Sequence, residues 1–517
     1  MSFSKVYSAQ NSLLSAHIVT VEVDLARGLH SFTIVGLPDK AVEESRDRMS
    51  AAIKNSGWKS PKAKNQKITI SLAPADIKKE GPLFDLPMAL AYLLASDEIS
   101  FSSENKLFLG ELSLDGKIRK VNGVLPIVMQ AKKAGISDVY VPKENVREAA
   151  VVEGIEVFGI SSLAEIVSHL NEKKDCPPKR ILTPEKKTKI SFAKKFQEIN
   201  FDDIKGQESA KRGLEIAAAG GHNIAMYGPP GTGKTMLAKA FCHILPPLSL
   251  EEIFETTSIH SVAGILKQDL VTFPPFRSPH HTSSYVSLIG GGTVPKPGEV
   301  TLAHNGVLFL DEFPEFEGRV LESLREPLEE RVVSISRARG TAQFPARFIL
   351  IAAMNPCPCG FYGVKDKNCV CTPQDILRYK RKVSGPIVDR IDMWVEVSNI
   401  DHKGLMDKTK KDNARTLEGI ARIERARNIQ TARFGKNNLK ILTNSEMSAR
   451  NLVELINLSP DTKNVLDKSA RSFGLSPRAY HRVVKLSRTI ADLGESEEIE
   501  TKHILEALQY RPKQLTV

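Results

Sequence analysis

The stretch GPPGTGKT at residues 228–235 decides the fold of the central part of this chain. It matches the pattern G-x-x-x-x-G-K-[ST] in full, and it lies between NIAMY, a predicted strand, and MLAKAFCHIL, a predicted helix. In that setting the glycines let backbone N–H groups face phosphate oxygens, and the helix start adds its dipole. The stretch predicts a nucleotide-binding loop made of Gly228, Pro229, Pro230, Gly231, Thr232, Gly233, Lys234 and Thr235.

A pair of carboxylates further along the chain narrows the chemistry. GVLFLDEF, residues 306–313, is predicted to contain a buried strand that ends at Asp311 and Glu312. Asp311 is suited to coordinating Mg²⁺ through water, and Glu312 is suited to polarising an attacking water. Lys234 is expected to reach the β- and γ-phosphates, and the Thr235 hydroxyl to bind Mg²⁺. A phosphate loop followed by such a pair predicts nucleotide hydrolysis.

Three more polar residues are candidates for the same site. RFILIAAMN is predicted to be an apolar strand that ends in Asn355. On a strand beside the Asp–Glu strand, Asn355 could orient the water or sense the γ-phosphate. Arg390, within SGPIVDRIDMWVEV, and Arg478, just inside a predicted helix start, could reach a phosphate. For both arginines the alternative is a solvated helix face.

Four of the six cysteines lie in MNPCPCGFYGVKDKNCVCTP, residues 354–373. Their spacing, C-x-C followed by nine residues and a second C-x-C, could supply four thiolates to a closed, structural Zn²⁺ site. Reduced cysteines without a metal are the alternative. A zinc site here would hold Arg390 and the basic run 378–382 in register with Asn355. The candidate ligands are Cys357, Cys359, Cys369 and Cys371.

Length and composition exclude several classes of protein. A chain of 517 residues is too long for one core and is expected to divide into about two to four domains. No run of about 18 apolar residues predicts a membrane span. The start, MSFSKVYSAQNSLL, lacks the long apolar segment of a secretion signal. We therefore expect a cytoplasmic protein, in which thiols stay reduced.

The charge balance favours a polyanionic partner. The net charge is +11, with nine basic and three acidic residues in 171–196 and twelve and six in 401–450. The run RYKRK at 378–382 is a third basic cluster. Lys and Arg brought to phosphates release counterions, which drives binding to nucleic acid. A solvated basic surface without a partner is the alternative.

The order of predicted elements gives an α/β protein in several parts. Strands are predicted at VTVEVDL, SFTIVGL and KITISLAP, and a helix between Pro38 and Gly57. The C-terminal segments carry apolar residues at helical spacing. The predicted domains are an α+β domain at 1–168, a basic linker at 169–200, a nucleotide-binding core at 201–400 with a cysteine insertion at 357–371, and a helical lid at 401–517.

Together these motifs resemble AAA+ ATPases of the magnesium-chelatase-like branch, and within it the ComM/YifB-type family. The blocks that carry the resemblance span nearly the whole chain and include FRSPHHTSSYVSLIGGG, PGEVTLAHNGVLFLDE, LREPLEERVVSISRARG, AAMNPCPCG, SGPIVDRID and SPRAYHRVVKLSRTIADL. The resemblance implies ATP and Mg²⁺ as cofactors. It makes the phosphate loop Walker A, Asp311 and Glu312 Walker B, and Asn355 sensor 1. Arg390 would be a finger reaching a neighbouring subunit's nucleotide and Arg478 sensor 2, which implies a ring, usually a hexamer.

The resemblance also implies DNA as the substrate. Residues 261–300 resemble the helix-2 insertion of this branch and residues 332–344 its pre-sensor hairpin, both pointing into a central pore. Arg337, Arg339 and Lys296 could then contact phosphates without base selectivity. ComM-type proteins are described as helicases that drive DNA branch migration in natural transformation. The paired His280–His281 favour a loop or pore role over metal ligation.

The N-terminal part resembles the proteolytic domain of Lon, a ribosomal-S5-like fold, and the C-terminal domain of RadA. Lon-type proteases need a Ser nucleophile shortly after Gly-Pro. Here Leu83 and Phe84 follow Gly81–Pro82, so a non-proteolytic scaffold is expected. Two functions compete with a DNA motor: a chelatase-type motor that remodels a protein, and an unfolding ring coupled to proteolysis. The missing nucleophile argues against the second.

Overall fold

The computed structural model of the protein describes residues 3–173, 182–192, 199–292, 296–337, 340–364, 367–399 and 413–512. The chain forms two compact units. The first unit comprises Met1–Ser191 with Leu250–Val271, and the second comprises Phe192–Ser249 with Thr272–Val517.

The first unit contains a seven-stranded sheet with the strand order β3-β4-β2-β1-β5-β8-β9, and helices that cover it. Its strands are β1 Phe3–Ser12, β2 Ser15–Arg27, β3 Ser31–Val35, β4 Gln66–Ala73, β5 Lys106–Phe108, β6 Glu111–Leu112, β7 Ile118–Arg119, β8 Asp138–Pro142 and β9 Glu156–Ile160. Its helices are α1 Lys40–Asn55, α2 Asp85–Ala95, α3 Val124–Lys133, α4 Val146–Ala149, α5 Leu163–Leu170 and α8 Leu250–Val262.

The predicted strands and helix of the N-terminal part are confirmed. VTVEVDL lies in β2, where Val19, Val21 and Val23 are fully buried, as expected for a strand with one face on the core. Helix α1 begins where Pro38–Asp39 predicts it, because the Asp39 Oδ1 accepts a hydrogen bond from the Val42 N–H at 2.8 Å. Met49 is buried on the inner face of this helix.

Residues Leu250–Val271 belong to the first unit, although the sequence analysis placed them within the 201–400 core. A buried polar network explains the difference. The Ser261 hydroxyl accepts from the Gly123 N–H at 2.9 Å and donates to the carboxylate of Glu148. Glu148 also accepts from the Leu125 N–H at 3.0 Å, and burial raises its pKa. These bonds satisfy polar groups that would otherwise be buried without partners, so α8 is held on α3.

The second unit contains a five-stranded sheet, and helices precede and follow its strands along the chain. Its strands are β10 Ile224–Tyr227, β11 Phe276–Arg277, β12 Gly290–Gly291, β13 Lys296–Pro297, β14 Gly306–Leu310, β15 Val332–Arg337, β16 Gly340–Pro345, β17 Phe348–Met354 and β18 Met393–Glu396. Its helices are α6 Glu208–Gly220, α7 Lys234–Ile244, α9 Tyr285–Ile289, α10 Glu299–Leu302, α11 Gly318–Glu322, α12 Arg325–Glu330, α13 Pro373–Arg381, α14 Gly385–Val388, α15 Ala414–Lys436, α16 Ala449–Leu455, α17 Pro460–Ser472, α18 Pro477–Leu493 and α19 Thr501–Gln509.

The strands of this sheet are all parallel, in the order β11-β14-β17-β10-β18. Strand β17 lies beside β14, which confirms the predicted neighbourhood of Asn355 and the Asp–Glu pair. Because the strands run the same way, their carboxyl ends share one edge and their amino ends share the other. We call these the carboxyl edge and the amino edge. Ligands of open parallel sheets bind beyond the carboxyl ends of the strands.

The C-terminal segment from residue 414 is helical, as predicted. Helices α15 and α18 bury Ile423, Phe434 and Ile490, which join the same hydrophobic core as Leu237 of α7. The helical segment is therefore packed on the nucleotide-binding core. Among the described residues, no helix combines the length and the apolar character needed to cross a membrane.

The predicted hairpin at 332–344 is present as β15 and β16, which pair antiparallel from Val332↔Pro345 to Arg337↔Gly340. It packs near β12, since a Cβ at Gly290 would lie 3.2 Å from Ile335 Cδ1. Lys296 is exposed in β13. Arg339 lies outside the described residues, as do residues 174–181 and 193–198 of the linker and the stretch 400–412.

Candidate nucleotide site and cysteine cluster

The phosphate loop joins β10 to α7 at the carboxyl edge. Gly231 and Gly233 have φ values of +79° and +90°, a region that residues with a Cβ adopt only at a cost. The Thr232 hydroxyl donates to the Pro229 carbonyl at 3.0 Å and closes the loop on itself. Helix α7 begins directly at Lys234, so its free N–H groups point at the loop.

Lys234 connects the phosphate loop to Asn355. Its side chain is largely buried, and Nζ donates to the carbonyls of Gly228 at 2.7 Å and Pro229 at 2.8 Å. Nζ also donates to the Asn355 Oδ1 at 3.2 Å. Burial lowers the pKa of Lys234, and the charge of Asp311 opposes that change. The structure thus brings together the lysine and the asparagine that the sequence predicted to share one site.

Thr235 and Asp311 fit the predicted Mg²⁺ site. The Thr235 hydroxyl donates to the Asp311 Oδ2 at 2.8 Å. Neighbouring oxygens of an octahedral Mg²⁺ shell lie about 3 Å apart, since each lies about 2.1 Å from the ion. Thr235 lies in the first turn of α7 and Asp311 directly follows β14, and a hydroxyl beside a carboxylate is a donor set that Mg²⁺ accepts. These two residues would hold the ion beside the phosphates.

Glu312 has a neighbour that the sequence analysis did not assign to the site. Its backbone is left-handed, with φ +50°, and its side chain is half exposed. The Nδ1 of His281 lies 2.9 Å from the Glu312 Oε2. His281 follows β11, which pairs with β14. The sequence predicted a loop or pore role for His280–His281. In the structure His281 contacts Glu312, the carboxylate that the sequence predicted to polarise water.

Arg390 and Arg478 lie elsewhere, at the amino edge. The two guanidinium groups share one carboxylate: Arg390 Nη2 is 2.7 Å from the Glu329 Oε2, and Arg478 pairs with the Glu329 Oε1. Both line a cavity of about 510 Å³ together with Asn223, which directly precedes β10. At about 3.3 Å per strand residue, this edge lies roughly 15–20 Å from the phosphate loop of the same chain.

The cavity at the amino edge carries an excess of positive charge. Five cationic and three acidic side chains line it. They are Arg331, Arg390, Arg478, Arg482 and Lys485, with Glu329, Asp392 and Glu446. Burial disfavours the ionised form of Asp392, but His222, whose Nδ1 lies 3.6 Å from the carboxylate, and the charge of Arg482 lower its pKa to about 2.

The four cysteines of the 357–371 insertion form one cluster. All four Sγ atoms lie within 4.8 Å of one another, and three of the separations are 3.4, 3.5 and 3.7 Å. A tetrahedral site with Zn–S bonds of about 2.3 Å needs sulfur atoms about 3.8 Å apart. The backbone N–H of Tyr362 also donates to the Cys357 Sγ at 3.3 Å, which holds this sulfur in place. The donor set and its spacing fit zinc.

A phosphate loop, a hydroxyl–carboxylate pair for Mg²⁺ and a glutamate at the carboxyl edge of a parallel sheet define a P-loop ATPase. Three family profiles match the chain: "Magnesium chelatase, subunit ChlI" over residues 200–405, "Subunit ChlI of Mg-chelatase" over 21–145 and "Magnesium chelatase, subunit ChlI C-terminal" over 414–511.

Curated relatives cover the full length. The chain is 41% identical over 518 residues to competence protein ComM of Haemophilus influenzae, covering 99% of this chain and 98% of the relative. It is 40% identical over 513 residues to YifB of Escherichia coli, covering 99% and 97%. Lon protease 2 of Bacillus subtilis is 31% identical over 162 residues, 28% of each chain. The chain belongs to the ComM/YifB-type family of magnesium-chelatase-like AAA+ ATPases, which implies ATP and Mg²⁺.

Proposed function

We propose that this chain is a subunit of a ring-shaped ATPase, a hexamer, that moves DNA without regard to sequence as a branch-migration helicase in natural transformation or recombination. The proposal of a ring rests on one observation: the candidate catalytic groups are divided between the two edges of one sheet. Lys234, Asp311 and Glu312 occupy the carboxyl edge, whereas Arg390 and Arg478 occupy the amino edge. One chain therefore holds two half-sites, and repeating a head-to-tail contact closes a ring.

The proposal of DNA rests on charge and on a relative. The net charge of +11 and the exposed Lys296 beside the β15–β16 hairpin suit a phosphate backbone. Arg337 and Arg339, which belong to the same segment of the sequence, would add positive charge that attracts phosphates. The relative of similar length is named a competence protein. Contacts to phosphates position a motor on DNA without reading its bases.

Two other parts of the chain, the cysteine cluster and the N-terminal domain, would have structural roles in this motor. The cysteine cluster would hold one structural Zn²⁺ in the cytoplasm, where the thiols stay reduced. The N-terminal domain at 1–168 would be a non-proteolytic scaffold, since Leu83 and Phe84 supply no hydroxyl after Gly81–Pro82. The linker 169–200 would connect it to the core at 201–400, and 401–517 would form the lid.

A second candidate is a chelatase-type motor that remodels a protein partner. The observation in its favour is that all three matching profiles carry the name of a magnesium chelatase subunit. Its ATPase chemistry would be the same, so the substrate alone separates the two proposals.

Steady-state ATP hydrolysis by the purified protein tests the choice, with no DNA, single strands, duplex and a four-way junction at two salt concentrations. Strong stimulation by DNA that fades as salt rises is the expected result, because phosphate contacts release counterions. The best activator would identify the DNA structure on which the motor acts. Glu312→Gln is the control for contaminating ATPases. Hydrolysis that no DNA changes would favour the protein-remodelling motor.

A further inference from the structure

We propose that the cysteine cluster positions the phosphate loop of its own subunit, with Gly360 and Tyr379 as the positioning residues. The inference rests on the proposed ATPase function and on the zinc site within it. Loss of the metal, or of either contact, would weaken nucleotide binding. Two arms leave the cluster, and each reaches a group that touches the phosphate loop or its lysine.

The first arm is the turn that contains Cys357 and Cys359. It closes through a 3.0 Å hydrogen bond from the Gly360 N–H to the Cys357 carbonyl. Gly360 is buried, has φ +84° and packs against Pro230 of the phosphate loop. A Cβ at this glycine would approach the Pro230 Cδ to 2.6 Å and Cγ to 3.1 Å, well inside van der Waals contact. The proline ring is rigid, so a side chain here would displace the loop.

The second arm leaves from Cys371. The next residue, Thr372, caps α13: its hydroxyl accepts from the Asp375 N–H at 3.2 Å, and the Asp375 carboxylate accepts from the Thr372 N–H at 3.2 Å. Two turns along this helix, the buried Tyr379 hydroxyl accepts a hydrogen bond from the backbone N–H of Asn355. The Asn355 side chain in turn accepts from Lys234.

The two arms therefore end on the two parts of the nucleotide site that hold the phosphates: the loop itself and its lysine. Zinc binding by the four cysteines ties the arms together. Without the cation, the four sulfur atoms, whose separations are as short as 3.4 Å, lose the bonds to a common centre that tie the two arms together. The turn that carries Gly360 and the start of α13 would then separate. Forcing an extra methyl group into a packed contact of this kind costs roughly 10-fold or more in an equilibrium constant.

Equilibrium binding of the fluorescent, non-hydrolysable analogue mant-AMPPNP with Mg²⁺, combined with zinc content per subunit, tests the inference. Gly360→Ala is expected to weaken binding about 10-fold while zinc content stays at one per subunit. The matched control is Gly363→Ala, in the same loop. Gly363 also has a left-handed backbone, φ +80°, but a Cβ there meets no atom within 4 Å. Both variants therefore carry similar backbone strain, and only the first meets the phosphate loop.

Two further measurements separate the arms and the metal. Tyr379→Phe, which removes the hydroxyl bonded to Asn355, is expected to weaken analogue binding a few-fold with zinc retained. Removal of zinc from the wild-type protein by a chelator is expected to weaken binding at least as much as Gly360→Ala, and restoring zinc to reverse the loss.

The inference is wrong if Gly360→Ala binds the analogue as Gly363→Ala does, or if zinc removal leaves the affinity unchanged. A wild-type protein that holds no zinc also overturns it. In each of these cases the wild-type protein still binds the analogue, so the ATPase proposal stands. A wild-type protein that binds no analogue overturns the ATPase proposal itself.

Discussion

The two edges of the five-stranded sheet differ in the charged groups that they hold and in how those groups are paired. At the carboxyl edge, groups that bind phosphate and Mg²⁺ already touch one another: Lys234 with Asn355, and Thr235 with Asp311. At the amino edge, two arginines are paired with Glu329 in a cavity with excess positive charge. The first edge is built to receive a nucleotide. The second is built to present cations, and its own phosphate loop lies at the other end of the strands.

Under the proposed function, this difference means that each chain supplies half of a catalytic site at each edge. A cation that stabilises charge on a transferring phosphoryl group must lie within a few ångströms of it. The length of the strands keeps Arg390 and Arg478 too far from a phosphoryl group that is bound to Lys234 of the same chain. A neighbour that sets its amino edge against this carboxyl edge would complete the site.

Arg390→Ala gives the largest expected effect. Loss of an arginine finger costs roughly 10³-fold or more in hydrolysis, so the homogeneous variant should be close to inactive. Glu312→Gln should also be inactive, because it removes the group that polarises water. Mixing the two inactive proteins should restore measurable hydrolysis, since some interfaces then pair an intact Glu312 with an intact Arg390. Steady-state ATPase assays of the mixture measure this.

The control for the mixture is the double variant, Arg390→Ala with Glu312→Gln in one chain, mixed with either single variant. No interface in those mixtures is complete, so hydrolysis should stay absent. If the mixture of single variants also stayed inactive while both assembled, each chain would use its own arginine, and the division between the edges would have no catalytic meaning.

The sequence predicted the carboxyl edge well because its signals are local. A phosphate loop between a strand and a helix can be recognised from neighbouring residues alone. Asp311 and Asn355 directly follow two paired parallel strands, so both lie at the same edge of the sheet. His281 was not assigned to the site, because its place depends on the pairing of the two-residue strand β11 with β14. The adjacent histidines in FRSPHH were the available signal.

The sequence analysis did not anticipate the contact of α8 with α3 for a similar reason. The bond between Ser261 and Glu148 joins residues 113 positions apart, and no local pattern announces it. The amphipathic pattern of a helix shows that one face is buried, but it does not show against which domain. Likewise, the shared contact of Arg390 and Arg478 with Glu329 comes from three separate elements.

His281→Ala is expected to have an intermediate effect, within the carboxyl edge. His281 holds the Glu312 carboxylate at 2.9 Å, so its loss should lower kcat about 10-fold and leave KM for ATP nearly unchanged. His281→Asn, whose amide can donate a hydrogen bond, should recover part of the rate. The measurement is a full ATP titration of hydrolysis for each variant.

The neighbouring histidine supplies the matched control. His280 bonds the hydroxyl of Thr282 at 2.8 Å and does not contact Glu312, so His280→Ala should keep kcat close to the wild-type value. Equal losses in His280→Ala and His281→Ala would mean that the loop as a whole matters, and that His281 does not orient the glutamate.

Glu329→Gln should have the smallest effect and tests the amino edge directly. Glu329 is half exposed and holds both arginines, so it competes with a neighbour's phosphates for the same guanidinium groups. The Arg390 side chain is nearly buried and that of Arg478 is about half exposed, so the solvent-screened ion pair is the one with Arg478. A screened pair contributes about 1 kcal/mol or less, so freeing Arg478 from Glu329 should raise hydrolysis no more than about 5-fold. The rise should be clearest at low protein concentration, where assembly limits the rate. Glu330→Gln, the exposed next residue on α12, is the control. A fall in rate specific to Glu329→Gln would mean that this carboxylate positions the arginines for catalysis, and the amino edge would then be preassembled in each subunit as the carboxyl edge is.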